Sequence, residues 1–307
     1  MRTEIHAMAK AAGAFWAQLR GNGEDETKNG IGLALGGGFA RGVAHIGVLR
    51  VLEREHIRVR FVAGVSAGAI VAAGLAGGAS ADELERVARS MKFKDLAGWR
   101  VSLLGLVGSE RMEGFLRRAF PAHRFEDMKI PLAVVATDLQ TGSPVVFHGK
   151  GEVFRPVRAS CSYPGLFRPV EYEGRWLVDG GISMEIPAGA LRGLGVKRVV
   201  SVALPSSPVT GEPGSMFGVV NRCFQIMQQR TEQFWRFQSD VVIAPRVQDV
   251  AWDDFTQAGR MIEAGEKAAE AALPRIRALM GHAAVGVDAK QGWSGMDGGR
   301  VMTGKIA

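Results

Sequence analysis

The chain has 307 residues, and its 38 Lys and Arg exceed its 31 Asp and Glu, which leaves a formal net charge of +7. A hydrophobic share of 47% and a charged share of 22% are typical of a folded protein and exclude a disordered chain. Two cysteines exclude a disulfide framework and a four-cysteine zinc site, so we expect a cytoplasmic protein, with peripheral contact at a membrane as the alternative. The basic residues form no run of five or more, and we expect no nucleic-acid partner. Glycine is in excess, because 41 residues are about 13% of the chain against an average of about 7%.

The first 28 residues differ in pattern from the rest of the chain. Their apolar residues recur at helical spacing and predict one amphipathic helix, followed by a polar linker: Ile5, Met8, Ala12, Phe15, Trp16 and Leu19. Lys10 interrupts the segment that a secretory signal would keep apolar. We interpret residues 1–28 as a helix that docks on the main domain or on a second subunit, and peripheral membrane contact is the alternative.

Residues 29–280 alternate between apolar strands and helical stretches. The predicted strands are Ile31–Leu35, Val59–Val65, Leu132–Ala136, Val145–Phe147, Arg198–Ala203 and Asp240–Ala244. The predicted helices are Val43–Glu55, Ala67–Ala76 and Asp82–Met91. This alternation predicts an α/β domain whose mostly parallel central sheet is covered by helices on both faces. The Gly- and Ala-rich residues 281–307 lack periodicity and are interpreted as a loose tail.

One apolar stretch is long enough to be compared with a membrane span. Phe61–Ala81 contains 21 residues without a charge. It consists mainly of Ala and Gly, which contribute little transfer energy, and Arg58 and Arg60 precede it in a strand-like segment. The composition therefore favours a buried strand, turn and helix over a transmembrane helix.

A glycine-rich loop, residues 36–42, separates the first predicted strand from the first predicted helix. Successive backbone N–H groups beside a helix N-terminus suit an anion. Arg41 stands where a dinucleotide fingerprint needs glycine, and Val43 and Ala44 stand where a phosphate-binding loop needs Lys and Ser or Thr. The remaining interpretations are an oxyanion site for acyl transfer and a turn required only for tight packing.

Ser66 occupies the centre of a Gly-x-Ser-x-Gly sequence between a predicted strand and a predicted helix. That context is typical of a nucleophile elbow, in which a sharp turn presents the serine Oγ at the end of the sheet. Gly64 and Gly68 allow the neighbouring backbone to pass close to the turn, and the N–H of Ala67 can face an oxyanion.

A nucleophilic serine also needs a base that accepts its hydroxyl proton. Of six histidines, only His282 follows in the order of an α/β-hydrolase triad, and it lies in the tail. A carboxylate is the better candidate. Asp179 ends an apolar stretch and precedes Gly180 and Gly181, whereas Asp138 is a rival and Asp297 repeats the Asp-Gly-Gly string in the tail.

In this order and spacing the three motifs resemble those of the patatin-like phospholipase family, and the resemblance extends over residues 29–280. It implies a patatin-type three-layer α/β fold and a Ser–Asp dyad, with Ser66 as nucleophile and Asp179 as base. The implied oxyanion residues are Gly36, Gly37, Gly38 and Ala67, of which Gly36 shapes the loop; the implied supporting residues are Arg41, Gly64, Gly68, Gly180 and Gly181. Two differences from the family stand out: Phe39 replaces a frequent glycine, and Met184-Glu185 occupies the place of a frequent asparagine.

The resemblance implies a lipid acyl hydrolase of the phospholipase A or lysophospholipase type that acts on a phospholipid or lysophospholipid. No cofactor or metal is expected, and an oligomer is compatible with the sequence. The apolar stretch 99–107 is interpreted as a lid or an acyl-chain wall, with ordinary core packing as the alternative. The competing function is that of a membrane-associated regulatory or adaptor protein with a vestigial site.

Overall fold

The computed structural model describes residues 30–91, 98–102, 105–205, 212, 214–251 and 253–281. The predicted helix in residues 1–28 and all but the first residue of the predicted tail, residues 281–307, lie outside these ranges. The division of the chain into these segments therefore stays a prediction.

The strands lie where buried apolar stretches occur in the sequence. They are β1 (Ile31–Leu35), β2 (Val59–Val65), β3 (Gly98–Ser102), β4 (Gly105–Gly108), β5 (Leu132–Asp138), β6 (Pro144–His148), β7 (Val170–Tyr172), β8 (Arg175–Asp179), β9 (Val199–Val202) and β10 (Val241–Ile243). Hydrogen-bonded neighbours in the main sheet follow the order β10–β9–β1–β2–β5–β8–β7, and β6 also pairs with β5. Pairing is parallel from β10 to β5 and antiparallel for β6, β7 and β8. The six strands predicted from the sequence are present, and β7 and β8 add an antiparallel region.

Helices cover both faces of this sheet, which confirms the predicted α/β fold. They are α1 (Ala44–Arg54), α2 (Ala67–Ala76), α3 (Ala81–Ser90), α4 (Glu110–Ala119), α5 (Phe154–Ser160), α6 (Ala188–Gly193), α7 (Met216–Phe237) and α8 (Ala258–Gly281). Alternate residues of β1 enter different cores, as a two-residue strand period requires. Leu33 and Leu35 pack with α1, α2 and α8, whereas Ala34 packs with Leu191 of α6 on the other face.

Helices α1 and α8 approach each other closely because glycine occupies their contact. A Cβ added to Gly47 would lie 1.9 Å from the carbonyl oxygen of Ile262, and one added to Gly265 would lie 2.0 Å from that of Ala44. Only glycine permits this backbone contact. Part of the glycine excess therefore serves helix packing that supports the loop preceding α1.

The uncharged stretch 61–81 forms the end of β2, a turn and α2, as the composition favours. No helix in the described ranges is long and apolar enough to cross a membrane. The stretch 99–107 lies in the hairpin of β3 and β4, apart from residues 103 and 104, which lie outside the described ranges. Its role as a lid or wall stays a prediction.

Candidate active site

Ser66 lies at the sharp turn between β2 and α2, as the sequence predicts. Its backbone has φ 54° and ψ −126°, a region that non-glycine residues rarely adopt and that costs about 1–3 kcal/mol. The turn is held by Ser160, whose Oγ accepts a 2.8 Å hydrogen bond from the N–H of Ser66 and donates one of 2.6 Å to the carbonyl oxygen of Val135. Neighbouring tertiary structure therefore stabilises the strained conformation at this serine.

The two glycines that flank the turn are close to other backbone atoms. A Cβ on Gly64 would lie 2.5 Å from Cα of Ala69, and a Cβ on Gly68 would lie 2.2 Å from the carbonyl oxygen of Leu35. Side chains at these positions would push β1, β2 and α2 apart. The Gly-x-Ser-x-Gly spacing is thus required by packing at the elbow.

The strand register brings Asp179, at the end of β8, to the end of β2, where Ser66 follows. Strand β6 pairs with Ala133–Thr137 along one edge of β5, so β2 and β8 must share the other edge. On that edge β2 ends with Val65 opposite Val135, and β8 ends with Asp179 opposite Ala136. The two strands therefore meet end to end, and the residue after Val65 is Ser66.

Asp179 is a buried carboxyl beside the serine. It is 2% exposed, and its Oδ1 accepts a 2.8 Å hydrogen bond from the N–H of Gly181. Its Oδ2 is buried and forms no hydrogen bond of normal geometry within the described part of the chain. Burial raises the pKa of Asp179 to about 7, while hydrogen bonding from Gly181 and from the Ser66 hydroxyl acts in the opposite direction. A carboxyl with such a pKa exchanges protons near neutrality.

The other candidates for a base have different positions or partners. Asp138 accepts hydrogen bonds from the N–H groups of Gln140 and Thr141, at 2.9 and 3.2 Å, and so closes the turn after β5. His282 and Asp297 lie outside the described residues. His45 is fully buried, and its Nε2 is 2.9 Å from the carbonyl oxygen of Gly36, which makes Nε2–H the donor. Burial lowers the pKa of His45 to about 4, so it is a neutral support for the glycine loop.

The glycine loop lies next to the serine. A Cβ on Gly37 would lie 3.3 Å from Cβ of Ser66 and 3.9 Å from its Oγ. The N–H of Gly36 donates to the carbonyl oxygen of Val202 at 3.1 Å, so Gly36 shapes the loop and is not a free donor. The N–H groups of Gly37, Gly38 and Ala67 form no hydrogen bond within the described ranges. Ala67 begins α2, where N–H groups have no partner in the helix and the dipole favours negative charge.

The remaining predicted site residues support this arrangement. A Cβ on Gly180 would lie 2.1 Å from the carbonyl oxygen of Val135, so glycine permits β8 to turn against β5. Arg41 is largely buried, donates from Nη1 to the carbonyl oxygen of Pro205 at 3.4 Å and has its pKa lowered by burial. The structure therefore brings together Ser66, Asp179, the glycine loop and the start of α2.

Two cavities of different polarity meet at Ser66. The first is almost wholly apolar; besides Ser66, its lining includes Ile46, Ile70, Val71, Met112, Phe120 and Phe167. The second, here called the polar cavity, is also bordered by Ser66 and Asp179. Its wall combines Leu204 and aromatic rings with a set of hydrogen-bonding side chains: Arg41, Glu185, Asn221, Gln225, Gln228 and Gln248. Ser66 thus has an apolar environment on one side and hydrogen-bonding side chains on the other.

Three aromatic rings form part of the wall beside the serine. Tyr163 packs against Phe39 with ring centroids 4.9 Å apart and against Phe224 at 4.7 Å, and its hydroxyl donates to Oδ1 of Asn221 at 3.0 Å. Phe39 has φ 51°, a left-handed conformation that favours glycine. The family frequently has glycine at this position, whereas here the Phe39 side chain packs against Tyr163.

Sequence reasoning missed several residues of the site. Ser160, Asn221, Gln225 and Gln228 lie on helices whose sequences contain no catalytic motif. Glu185 is seen in the sequence only as a difference from the family. Its Oε2 accepts a 3.1 Å hydrogen bond from Trp235, and burial raises its pKa to about 7. Ser160 alone has a sequence signal, because Arg158, Ala159 and Ser160 form a further stretch that resembles the patatin-like phospholipase family.

Comparison with known proteins agrees with this architecture. The model of the family described as patatin-like phospholipase matches residues 33–192, more than half of the chain. An uncharacterized NTE family protein of Mycobacterium tuberculosis is 34% identical over 194 residues, which are 62% of this chain and 53% of that protein. The lysophospholipase NTE1 of Mycosarcoma maydis is 35% identical over 188 residues, 57% of this chain and 10% of that protein.

The matched region corresponds to about half of the mycobacterial protein and to a small part of the fungal one. Among solved structures, VipD from Legionella pneumophila has the same fold, with a TM-score of 0.51 and 14% identity over 81% of this chain and 67% of that chain. The elbow, the glycine loop and the Asp-Gly-Gly turn all lie within the residues that the family model matches. The chain belongs to the patatin-like phospholipase family.

Proposed function

We propose that this chain hydrolyses carboxylic ester bonds of phospholipids or lysophospholipids, with Ser66 as nucleophile and Asp179 as general base. One observation carries the proposal: Ser66 borders both an apolar cavity and a polar cavity, and Asp179 lines the polar one. A lipid ester has the same division, because its acyl chain is apolar and its alcohol is polar. The name of the fungal relative, a lysophospholipase, supports this substrate class.

The first half of the reaction follows from the neighbours of the serine. Asp179 accepts the hydroxyl proton of Ser66 while Oγ attacks the ester carbonyl carbon. With a pKa of about 7, Asp179 is a stronger base than an exposed carboxylate and still ionises near neutral pH. The proton then passes from Asp179 to the leaving alcohol, which departs through the polar cavity and leaves an acyl group on Ser66.

Charge on the carbonyl oxygen requires donors that are already in position. Gly37, Gly38 and Ala67 supply these donors, since Gly37 and Gly38 border the same cavity as Ser66, Ala67 follows Ser66 in the chain, and none of the three N–H groups has a partner in the described ranges. Water then attacks the acyl group, with Asp179 taking its proton, and Ser66 regains a proton as the fatty acid leaves. Loss of one such donor lowers the rate of comparable enzymes by about 10²–10³.

The experiment is to incubate the protein with a mixed phospholipid and lysophospholipid extract and to follow free fatty acids by mass spectrometry. Ser66→Ala and Asp179→Asn are expected to release none, whereas the wild type releases acyl chains with matching loss of the parent lipid. Ser90→Ala and Asp138→Asn are matched controls, because Ser90 is an exposed serine of α3 and Asp138 closes its own turn. Fatty-acid release by Ser66→Ala at the wild-type rate would contradict the proposal.

A second readout separates the roles of the two residues. A fluorophosphonate probe is expected to label Ser66 in the wild type and to label Asp179→Asn much more slowly, because the hydroxyl has lost its base. Equal labelling rates would refute Asp179 as the base while leaving Ser66 as the nucleophile. Vesicle binding without turnover of any ester would favour the regulatory or adaptor function instead.

A further inference from the structure

Helix α7 has two faces with different surroundings. Its inner face supplies Asn221, Gln225 and Gln228 to the polar cavity beside Ser66. Its outer face carries a row of exposed apolar side chains, here called the apolar stripe: Met216, Val219, Ile226, Phe234 and Phe237. One helix therefore forms both a wall of the candidate site and a part of the protein surface.

The apolar stripe runs along one side of the helix. At 100° per residue its five positions fall within a sector of about 80°, so the side chains project in one direction over the length of α7. Their exposed fractions are 85, 46, 48, 59 and 75% in chain order, and they are five of the seven large exposed hydrophobic residues in the described ranges. Exposed apolar residues that are scattered singly are ordinary, but several aligned on one side of a single helix indicate an interaction surface.

The charges on α7 indicate what kind of partner its outer face would bind. Arg222 and Arg230 form no ion pair within the described part of the chain, and Arg230 projects between the residues of the apolar stripe. The single acidic residue of α7, Glu232, is paired with Arg236 at 2.6 Å. The outer face therefore combines apolar side chains with uncompensated positive charge, which is the pattern of a helix lying in an anionic membrane interface.

We propose that the apolar stripe, with Arg222 and Arg230, docks this protein on an anionic phospholipid bilayer. The aromatic residues near the C-terminal end of α7 enter the headgroup and acyl boundary, and the arginines contact lipid phosphates. The inner face of the same helix borders the polar cavity, so docking places that cavity one helix diameter, roughly 10 Å, from the membrane surface. This inference rests on the proposed function for the lipid substrate, but docking itself requires no catalysis.

The test measures binding separately from hydrolysis. Ser66→Ala protein is mixed with sedimenting vesicles of phosphatidylcholine, with or without about 30 mol% phosphatidylglycerol. The double substitution of Phe234→Gln and Phe237→Gln is expected to lower binding by about tenfold or more on both vesicles, because apolar area no longer leaves water. The pair Arg222→Gln and Arg230→Gln is expected to lower binding only where the vesicles are anionic. Leu139→Gln is the matched control, since Leu139 is 54% exposed outside α7.

A second arm uses the active protein. The phenylalanine pair is expected to lower hydrolysis of vesicle phospholipid in parallel with binding and to leave hydrolysis of a soluble short-chain ester unchanged. Vesicle binding in the Ser66→Ala protein supports docking even if no ester is hydrolysed, so failure of the proposed function is distinguishable. Equal binding by the parent and the phenylalanine pair would overturn the inference. If the phenylalanine pair converted a dimer to monomers without changing vesicle binding, the stripe would be a subunit interface and the inference would be overturned. It would also be overturned if a photo-crosslinker at position 226 captured residues 1–29 or 282–307 in the presence of vesicles, because the stripe would then be covered by the chain itself.

Discussion

Asp179→Asn is expected to abolish ester hydrolysis and to stabilise the fold above neutral pH. The folded-state pKa of about 7 exceeds the ordinary value of 3.8, so the folded chain binds this proton more tightly than the unfolded chain does. The carboxyl therefore destabilises the fold increasingly as pH rises from 3.8, and the effect is complete above pH 7. A pKa difference of about three corresponds to about 4 kcal/mol, of which about 3 kcal/mol develops between pH 5 and pH 8.

Asparagine removes this ionisation without removing the local hydrogen bond. Its Oδ1 can still accept from the N–H of Gly181, and its amide nitrogen takes the place of Oδ2 beside the Ser66 hydroxyl. The free energy of unfolding of the variant minus that of the wild type should be about 3 kcal/mol larger at pH 8 than at pH 5. Urea unfolding at the two pH values measures this difference, and titration of Glu185 cancels because both proteins contain it.

Two results would refute the reasoning. A stability difference that is the same at pH 5 and pH 8 would mean that Asp179 ionises as an exposed carboxyl does. Wild-type hydrolysis by Asp179→Asn would mean that another group accepts the serine proton. The wild-type rate should itself rise with pH through about 7, because only the anionic carboxylate acts as a base.

Three further predictions concern residues around the site. Ser160→Ala should lower kcat by about 10–100-fold with little change in KM, because Oγ of Ser66 loses its fixed position; an unchanged kcat would exclude Ser160 as a positioning residue. Gly47→Ala should destabilise the fold by about 3 kcal/mol in urea unfolding, since its Cβ would meet Ile262, while Gly214→Ala, with open space around it, serves as the neutral control. Glu185→Gln should retain hydrolysis and the rise of rate through about pH 7, because ionisation of Asp179 causes that rise. Loss of the rise would mean that Glu185 is the group whose ionisation controls the rate.

The local features of the site were accessible from the amino-acid pattern. Val59–Val65 and Ala67–Ala76 were predicted with the bounds that the structure has, so Ser66 was placed at the correct turn. Strand period, helix period and glycine positions depend on near neighbours in the chain, and these are what a sequence records directly. The catalytic roles of Ser66 and Asp179 remain predictions for the assays above.

The features that depend on distant neighbours were not accessible in this way. The sequence predicted a mostly parallel sheet, and only pairing showed that β8 runs antiparallel and ends against β2 on one edge of β5. Ser160 reaches Ser66 across 94 residues of sequence, and no spacing rule foresees that hydrogen bond. The pattern of α7 is ambiguous by itself, because its polar residues face a cavity and its apolar residues face solvent.

The glycine residues show the same contrast between what the sequence indicates and what only packing decides. Their concentration around Ser66 and the preceding loop was visible in the sequence and pointed to close backbone approach. Which backbone is approached depended on the packed molecule: Leu35 at Gly68, Val135 at Gly180 and Ile262 at Gly47. Chain composition records where a side chain is missing, whereas the burial and register that make a side chain impossible arise only when distant segments pack together.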